Sequence, residues 1–151
     1  MPRKKALTLF TAAALAALLF TALCPRSLET ILFKRGGMDR IAACRATASI
    51  FLEDGDTSVL VTDPAALKEM KDFLHTYRCH RIPRADSGNI RERSWDLYFL
   101  DDQNNVLAHL DLTDMGQVHT VSGGNYFPSG VDETALVLFM EDFLAAGSPS
   151  E

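Results

Sequence analysis

The stretch Trp95–Leu112 reads WDLYFLDDQNNVLAHLDL and decides the fold of this 151-residue chain. Hydrophobic residues fall at alternate positions on both sides of the polar segment Asp101–Asn105. A period of two is typical of a strand with one buried face, and Asp and Asn favour turns. The stretch therefore predicts antiparallel strands over residues 95–100 and 106–112, joined by a turn.

Outside this hairpin, the pattern predicts strands over residues 40–52, 58–62 and 117–122, with a short edge strand at 126–128. Two other segments repeat hydrophobic residues at helical spacing, and Asp63 and Asp132 are their N-caps. The order β-β-α-β-β-β-α predicts an α+β fold. We expect an antiparallel sheet of about five strands with two helices packed on one face.

The N-terminus carries the pattern of a membrane-targeting segment. Arg3, Lys4 and Lys5 precede the uncharged run 6–24, and about 20 apolar residues cross a bilayer as a helix. We expect an N-terminal hydrophobic helix that anchors the chain in the cell membrane by a single span and exports the C-terminal domain. Two alternatives stay open: cleavage as a signal peptide, which gives a secreted protein, and acylation of Cys24 as in a lipoprotein.

These patterns divide the chain into four regions. They are a signal anchor or signal peptide (1–24), a linker (25–37), an extracytoplasmic α+β domain (38–147) and a tail (148–151). Pro25 and the pair Gly36–Gly37 favour the linker interpretation because both residue types interrupt regular structure.

Charge is distributed unevenly along the chain. The first 37 residues hold six Lys or Arg and a single acid, Glu29, so the remaining residues hold nine basic and nineteen acidic ones. No Lys or Arg follows Arg93. An acidic domain repels phosphate backbones, which argues against nucleic acid as a partner.

The three cysteines permit one disulfide in an exported domain. Cys24 adjoins the predicted span, which leaves Cys44 and Cys79 as an even pair in an oxidising compartment. Cys44 lies on the strand face that the first helix should cover, and Cys79 follows that helix. We therefore predict a Cys44–Cys79 disulfide, with two buried free thiols as the alternative.

A histidine and aspartate cluster is predicted on the hairpin that turns at Gly116. Asp111 would oppose His119, with His109 diagonal to it on the outward face. Two histidines and a carboxylate form a known metal-ligand set, although we favour a solvated polar face. The sequence lacks the motifs of serine hydrolases, zinc proteases and P-loop enzymes, so we predict no catalytic residue and no cofactor.

An arginine-rich segment is the remaining charged feature. It is a candidate contact for an anionic ligand or an acidic partner, since guanidinium groups fork onto carboxylates and phosphates. The alternative is pairing with the acids of the same domain. The candidate anion contacts are Arg81, Arg84, Arg91 and Arg93.

Several segments together resemble small exported, membrane-anchored domains of uncharacterised proteins from Gram-positive bacteria. They are the N-terminal anchor, VLVTDP at 59–64, WDLYF at 95–99, VSGGNY at 121–126 and the closing helix. The resemblance covers most of residues 40–145. It implies no known activity, and no catalytic residue is carried over from it.

These observations favour a non-catalytic interaction or ligand-sensing domain displayed outside the cell. Its partner would be an unidentified protein or small molecule, besides the membrane contacted through residues 6–24. The alternative function is a small extracytoplasmic hydrolase or metal-dependent enzyme that uses His109, Asp111 and His119.

Overall fold

Nine strands and three helices make up the part of the chain that the computed structural model describes, namely residues 13–14, 24–33, 36–50, 56–82, 92–121 and 124–149. The strands are β1 (Arg26–Ser27), β2 (Ala43–Ile50), β3 (Thr57–Val61), β4 (Arg78–Ile82), β5 (Arg93–Leu100), β6 (Val106–Thr113), β7 (Val118–Thr120), β8 (Asn125–Pro128) and β9 (Ser148–Pro149). The helices are α1 (Leu28–Leu32), α2 (Pro64–Thr76) and α3 (Glu133–Ala145), with a 3-10 turn at Met38–Arg40.

All nine strands form one antiparallel sheet in the order β1-β4-β8-β7-β6-β5-β2-β3-β9. The prediction of about five strands and two helices is therefore wrong. The five predicted strands are present, but β1, β4 and β9 are added by pairing between distant parts of the chain. The segment 126–128, predicted at an edge, forms the inner strand β8 between β4 and β7.

One face of the sheet packs into the core. Residues that are paired across neighbouring strands point to the same face, so the register assigns the inward side chains. Trp95, Leu97 and Phe99 of β5 point inward and are at most 2% exposed. Leu110 and Leu112 of β6 lie opposite Leu97 and Trp95, so the predicted central hairpin supplies the middle of the core.

Both long helices begin where the sequence predicts and contribute to the same core. The Asp63 carboxylate accepts a hydrogen bond from the Ala66 amide at 2.8 Å, and Asp132 caps α3 in the same way. Phe73 of α2 stacks on Phe139 of α3 with ring centroids 4.7 Å apart. The predicted caps are confirmed.

Helix α2 connects β3 to β4, and β4 lies on the far side of the central strands. Tyr77, which follows α2, donates its hydroxyl proton to the Gly116 carbonyl at 2.6 Å. Burial raises the pKa of the Tyr77 hydroxyl, which keeps it protonated as a donor. Gly116 has φ +75° and leaves no room for a Cβ, which would lie 2.5 Å from the Tyr77 oxygen.

The prediction of a single-pass membrane protein with an N-terminal hydrophobic helix is not supported. Crossing a bilayer takes about 20 helical residues. No helix among the described residues is both long enough and apolar enough, since α2 and α3 have 13 residues each. Of the run 6–24, all but Ala13, Ala14 and Cys24 lie outside the described residues.

The predicted Cys44–Cys79 disulfide is also wrong, because both thiols are free and buried. Cys44 lies on β2 and Cys79 on β4, and four strands stand between them in the sheet. At about 4.8 Å per strand the path along the sheet is roughly 24 Å, whereas bridged Cα atoms lie within about 7 Å. The sequence pattern places Cys44 on the face covered by the helix and Cys79 just after the helix, but it does not contain the strand order that separates them.

Candidate functional site

One edge of the sheet carries a pocket with two arginines. The pocket has a volume of about 270 Å³ and is lined by Cys24, Arg26, Cys79, Arg81 and Tyr126, which we call the arginine pocket. This volume lies just below the usual range of small-molecule pockets, about 300–1,000 Å³. It therefore suits a small ligand.

Strand register explains why these side chains meet. Arg26 of β1 is the Cα partner of Cys79 in β4, and Arg81 of β4 is the partner of Tyr126 in β8. Directly paired residues share a face, and diagonal neighbours lie about 7–8 Å apart. Arg26 and Arg81 are therefore diagonal neighbours whose side chains line the same pocket.

The short strand β1 is held in place by its surroundings. The Ser27 hydroxyl accepts a hydrogen bond from the Thr30 amide at 3.3 Å, which caps α1. The Leu28 amide donates to the Tyr77 carbonyl at 3.1 Å, and the Leu28 side chain is 0% exposed. Segment 26–32, interpreted as linker from the sequence, thus contributes to both sheet and core.

The pocket combines fixed walls with exposed charges. The Cys79 side chain is fully buried, and its Sγ lies 3.8 Å from the Arg26 carbonyl oxygen to which it donates. Tyr126 lies against Gly124, where an added Cβ would be 2.6 Å from the tyrosine ring. The Arg26 and Arg81 side chains are exposed, and neither has an ion pair with an acid among the described residues.

The remaining candidate anion contacts do not join this pocket. Arg93 pairs with Glu141 of α3. Arg84 and Arg91 lie outside the described residues. Of the four arginines singled out by sequence, the structure therefore places Arg81 at the pocket.

The predicted histidine and aspartate cluster lies on the outward face of the sheet. Asp111 is the Cα partner of His119, as the sequence predicts. His109 hydrogen-bonds with Asp96 at 3.0 Å and stacks on Tyr98, with ring centroids 4.1 Å apart. The three predicted metal ligands were His109, Asp111 and His119. His109 instead bonds to Asp96, which is not one of them.

Each histidine has its own neighbour. His119 Nδ1 hydrogen-bonds with the Asn125 side-chain oxygen at 2.7 Å. In the described part of the chain, no three His, Cys, Asp or Glu side chains are placed to hold a metal ion. The outward face therefore presents separate hydrogen-bonded pairs.

Two other concave regions have different chemistry. A cavity of about 270 Å³ lies over Trp95, and its wall includes the Arg93–Glu141 ion pair. A groove of about 470 Å³ is lined by Glu92, Asp114 and Glu133 among other residues. Among the described lining residues of these three pockets, only those of the arginine pocket include two cations and no acid.

Sequence reasoning missed Arg26 and the role of β4. The sequence analysis predicts no strand at RCHRI, residues 78–82, and places Arg26 in a linker. No local pattern identifies Arg26, because its place beside β4 depends on the pairing of β1 with β4.

Comparison of the chain with protein-family models, with curated proteins and with solved structures finds no match. The resemblance to exported domains of Gram-positive bacteria therefore stays a prediction.

Proposed function

We propose that this protein is a non-catalytic binding domain for a small oxyanion, a carboxylate or phosphate compound, held in the arginine pocket. The observation that carries the proposal is that Arg26 and Arg81 line the same small cavity, with no acid among the described residues of its lining. Guanidinium groups donate pairs of hydrogen bonds to carboxylate and phosphate oxygens. Tyr126 also lines this cavity.

The electrostatic setting supports specificity for anions. The protein has a formal net charge of −5, so an anion is repelled by most of the surface. At the pocket, the two guanidinium groups make the local electrostatic potential positive, so an anion is attracted there. Both side chains are exposed, and an anion would give them the charged partner that they lack among the described residues.

Isothermal titration calorimetry of the full chain with a dicarboxylate and, separately, with inorganic phosphate tests the proposal and distinguishes the two ligand classes. We expect saturable binding of at least one, weakened at least tenfold by the double variant Arg26→Ala/Arg81→Ala. A loss of this size corresponds to about 1.4 kcal/mol.

A charge-matched control variant is available. Arg45 and Arg78 are exposed arginines whose register positions point to the opposite face of the sheet. Arg45→Ala/Arg78→Ala removes the same two charges and should keep the affinity within about twofold. Equal loss in both double variants would show a general charge effect and contradict the assigned site.

A further inference from the structure

The lining of the arginine pocket contains cysteine side chains as well as the two arginines. Two of the three cysteines line it: Cys24, whose side chain is exposed, and Cys79, which is fully buried. Both are free thiols. A bound anion would therefore lie beside an accessible nucleophile.

We propose that Cys24 is a modification site that forms a mixed disulfide with a small disulfide compound bearing carboxylates. The inference rests on the proposed function, because Arg26 and Arg81 would hold the carboxylates of this reagent. It names the ligand class of the pocket more narrowly, as an acidic thiol or disulfide.

The exchange is balanced without any further reactant. The Cys24 thiolate attacks one sulfur of the reagent, a bond forms between the two sulfurs, and the S–S bond of the reagent breaks. The leaving thiolate takes up the proton that Cys24 released. One S–S bond forms and one breaks, so the Cys24 sulfur is oxidised to the disulfide level while the leaving sulfur is reduced to a thiol, and the other half of the reagent stays bound in the mixed disulfide.

Burial directs the reaction to Cys24 rather than to the other thiols. Burial raises the pKa of the Cys44 thiol to about 12 and that of the Cys79 thiol to about 11. Thiolate is the reacting form, so both buried cysteines are inert at neutral pH. Cys24 combines exposure with two neighbouring cations, which raise the local concentration of an anionic reagent.

The modification has a consequence for binding. A covalently attached acidic group would occupy the arginine pocket and neutralise Arg26 and Arg81. Reversible anion binding would then cease until a thiol reductant releases the group. The mixed disulfide would thus act as a redox-controlled block of the pocket.

The test compares three disulfide reagents of different charge on the full chain at low ionic strength. They are glutathione disulfide as the anion, 2-hydroxyethyl disulfide as the neutral reference and cystamine as the cation. Intact-mass measurements give the rates, and peptide mapping gives the modified cysteine. We expect modification at Cys24, with the anion reacting about tenfold faster than the cation, and added salt reducing this ratio.

Variants separate this inference from the proposed function. Arg26→Ala/Arg81→Ala should bring the anion-to-cation rate ratio near one, whereas Arg45→Ala/Arg78→Ala should leave it unchanged. Cys24→Ser should abolish modification. Equal rates for anion and cation in the unaltered protein, or first modification at Cys44 or Cys79, would overturn the inference. Binding of phosphate or dicarboxylate by the unaltered protein in calorimetry would then leave the proposed function standing.

Discussion

The central hairpin and the arginine-pocket edge of the same sheet are built in opposite ways. Strands β5 and β6 have eight residues each, and their inward side chains fill the core. Strands β1, β4 and β8 have two, five and four residues, and they leave two arginines exposed. Stability is therefore concentrated at the centre, while the proposed binding site lies at an edge that contributes less to the core.

The largest effect is expected from a cavity at the centre. Leu97 is 0% exposed, and Leu97→Ala should lower the free energy of unfolding by about 2–5 kcal/mol. Val106 of the same hairpin is 59% exposed, so Val106→Ala should change it by less than about 0.5 kcal/mol. Urea denaturation measures both. Similar losses in the two variants would contradict a core centred on this hairpin.

A smaller effect is expected at the contact that joins the two regions. Tyr77→Phe removes the hydroxyl that donates to the buried Gly116 carbonyl, which should cost about 1–3 kcal/mol. Tyr98, on the outward face, provides the control, and Tyr98→Phe should stay within about 0.5 kcal/mol. If thermal and urea unfolding cannot distinguish Tyr77→Phe from the parent protein, this contact does not couple the edge to the centre.

Asp101, in the turn of the central hairpin, should make the stability of the fold depend on pH in the acidic range. Asp101 accepts hydrogen bonds from the Asn105 amide at 2.8 Å and the Gln103 amide at 3.0 Å, and it pairs with Arg40. These contacts, the Asn105 amide first, lower the pKa of Asp101. The stabilisation is present above the unfolded-state pKa of about 3.9 and is lost as pH falls through the lower folded-state value.

The variant Asp101→Asn isolates this contribution. It should be less stable than the parent protein at neutral pH, and the difference should shrink as the pH falls below about 3.9. Urea denaturation between neutral and strongly acidic pH provides the comparison. A difference that grows on acidification would have the wrong sign for a lowered pKa.

The smallest stability effect is expected at the edge. Arg26→Ala/Arg81→Ala removes exposed charges only, so the free energy of unfolding should change by less than about 0.5 kcal/mol although anion binding is lost. Thermal unfolding with and without added dicarboxylate measures both quantities. Loss of more than about 2 kcal/mol without ligand would show that these arginines support the fold.

The sequence predicted the centre because its pattern is local. Alternating hydrophobic residues identified β5 and β6, and the aspartate caps located the starts of α2 and α3. Strand β4 was missed because RCHRI carries three basic side chains among its five residues and has the composition of a loop. Strand β1 spans two residues, too few for any periodicity.

The candidate site was predicted only in part, for the same reason. Arg81 was identified from its charge, but its neighbour Arg26 is 55 positions earlier in the chain. Their proximity follows from β1 pairing with β4, which short-range patterns do not encode. The same missing topology led to Cys79 being paired with Cys44, although in the structure Cys79 and Cys24 line the same pocket.

A crystal structure of the full chain grown with malonate tests the central claim most directly. The account predicts a bound dicarboxylate in the arginine pocket, with carboxylate oxygens about 2.7–3.0 Å from guanidinium nitrogens of both Arg26 and Arg81. The contradicting result is a structure at saturating malonate in which the pocket is empty and the two arginines pair with acids of their own chain.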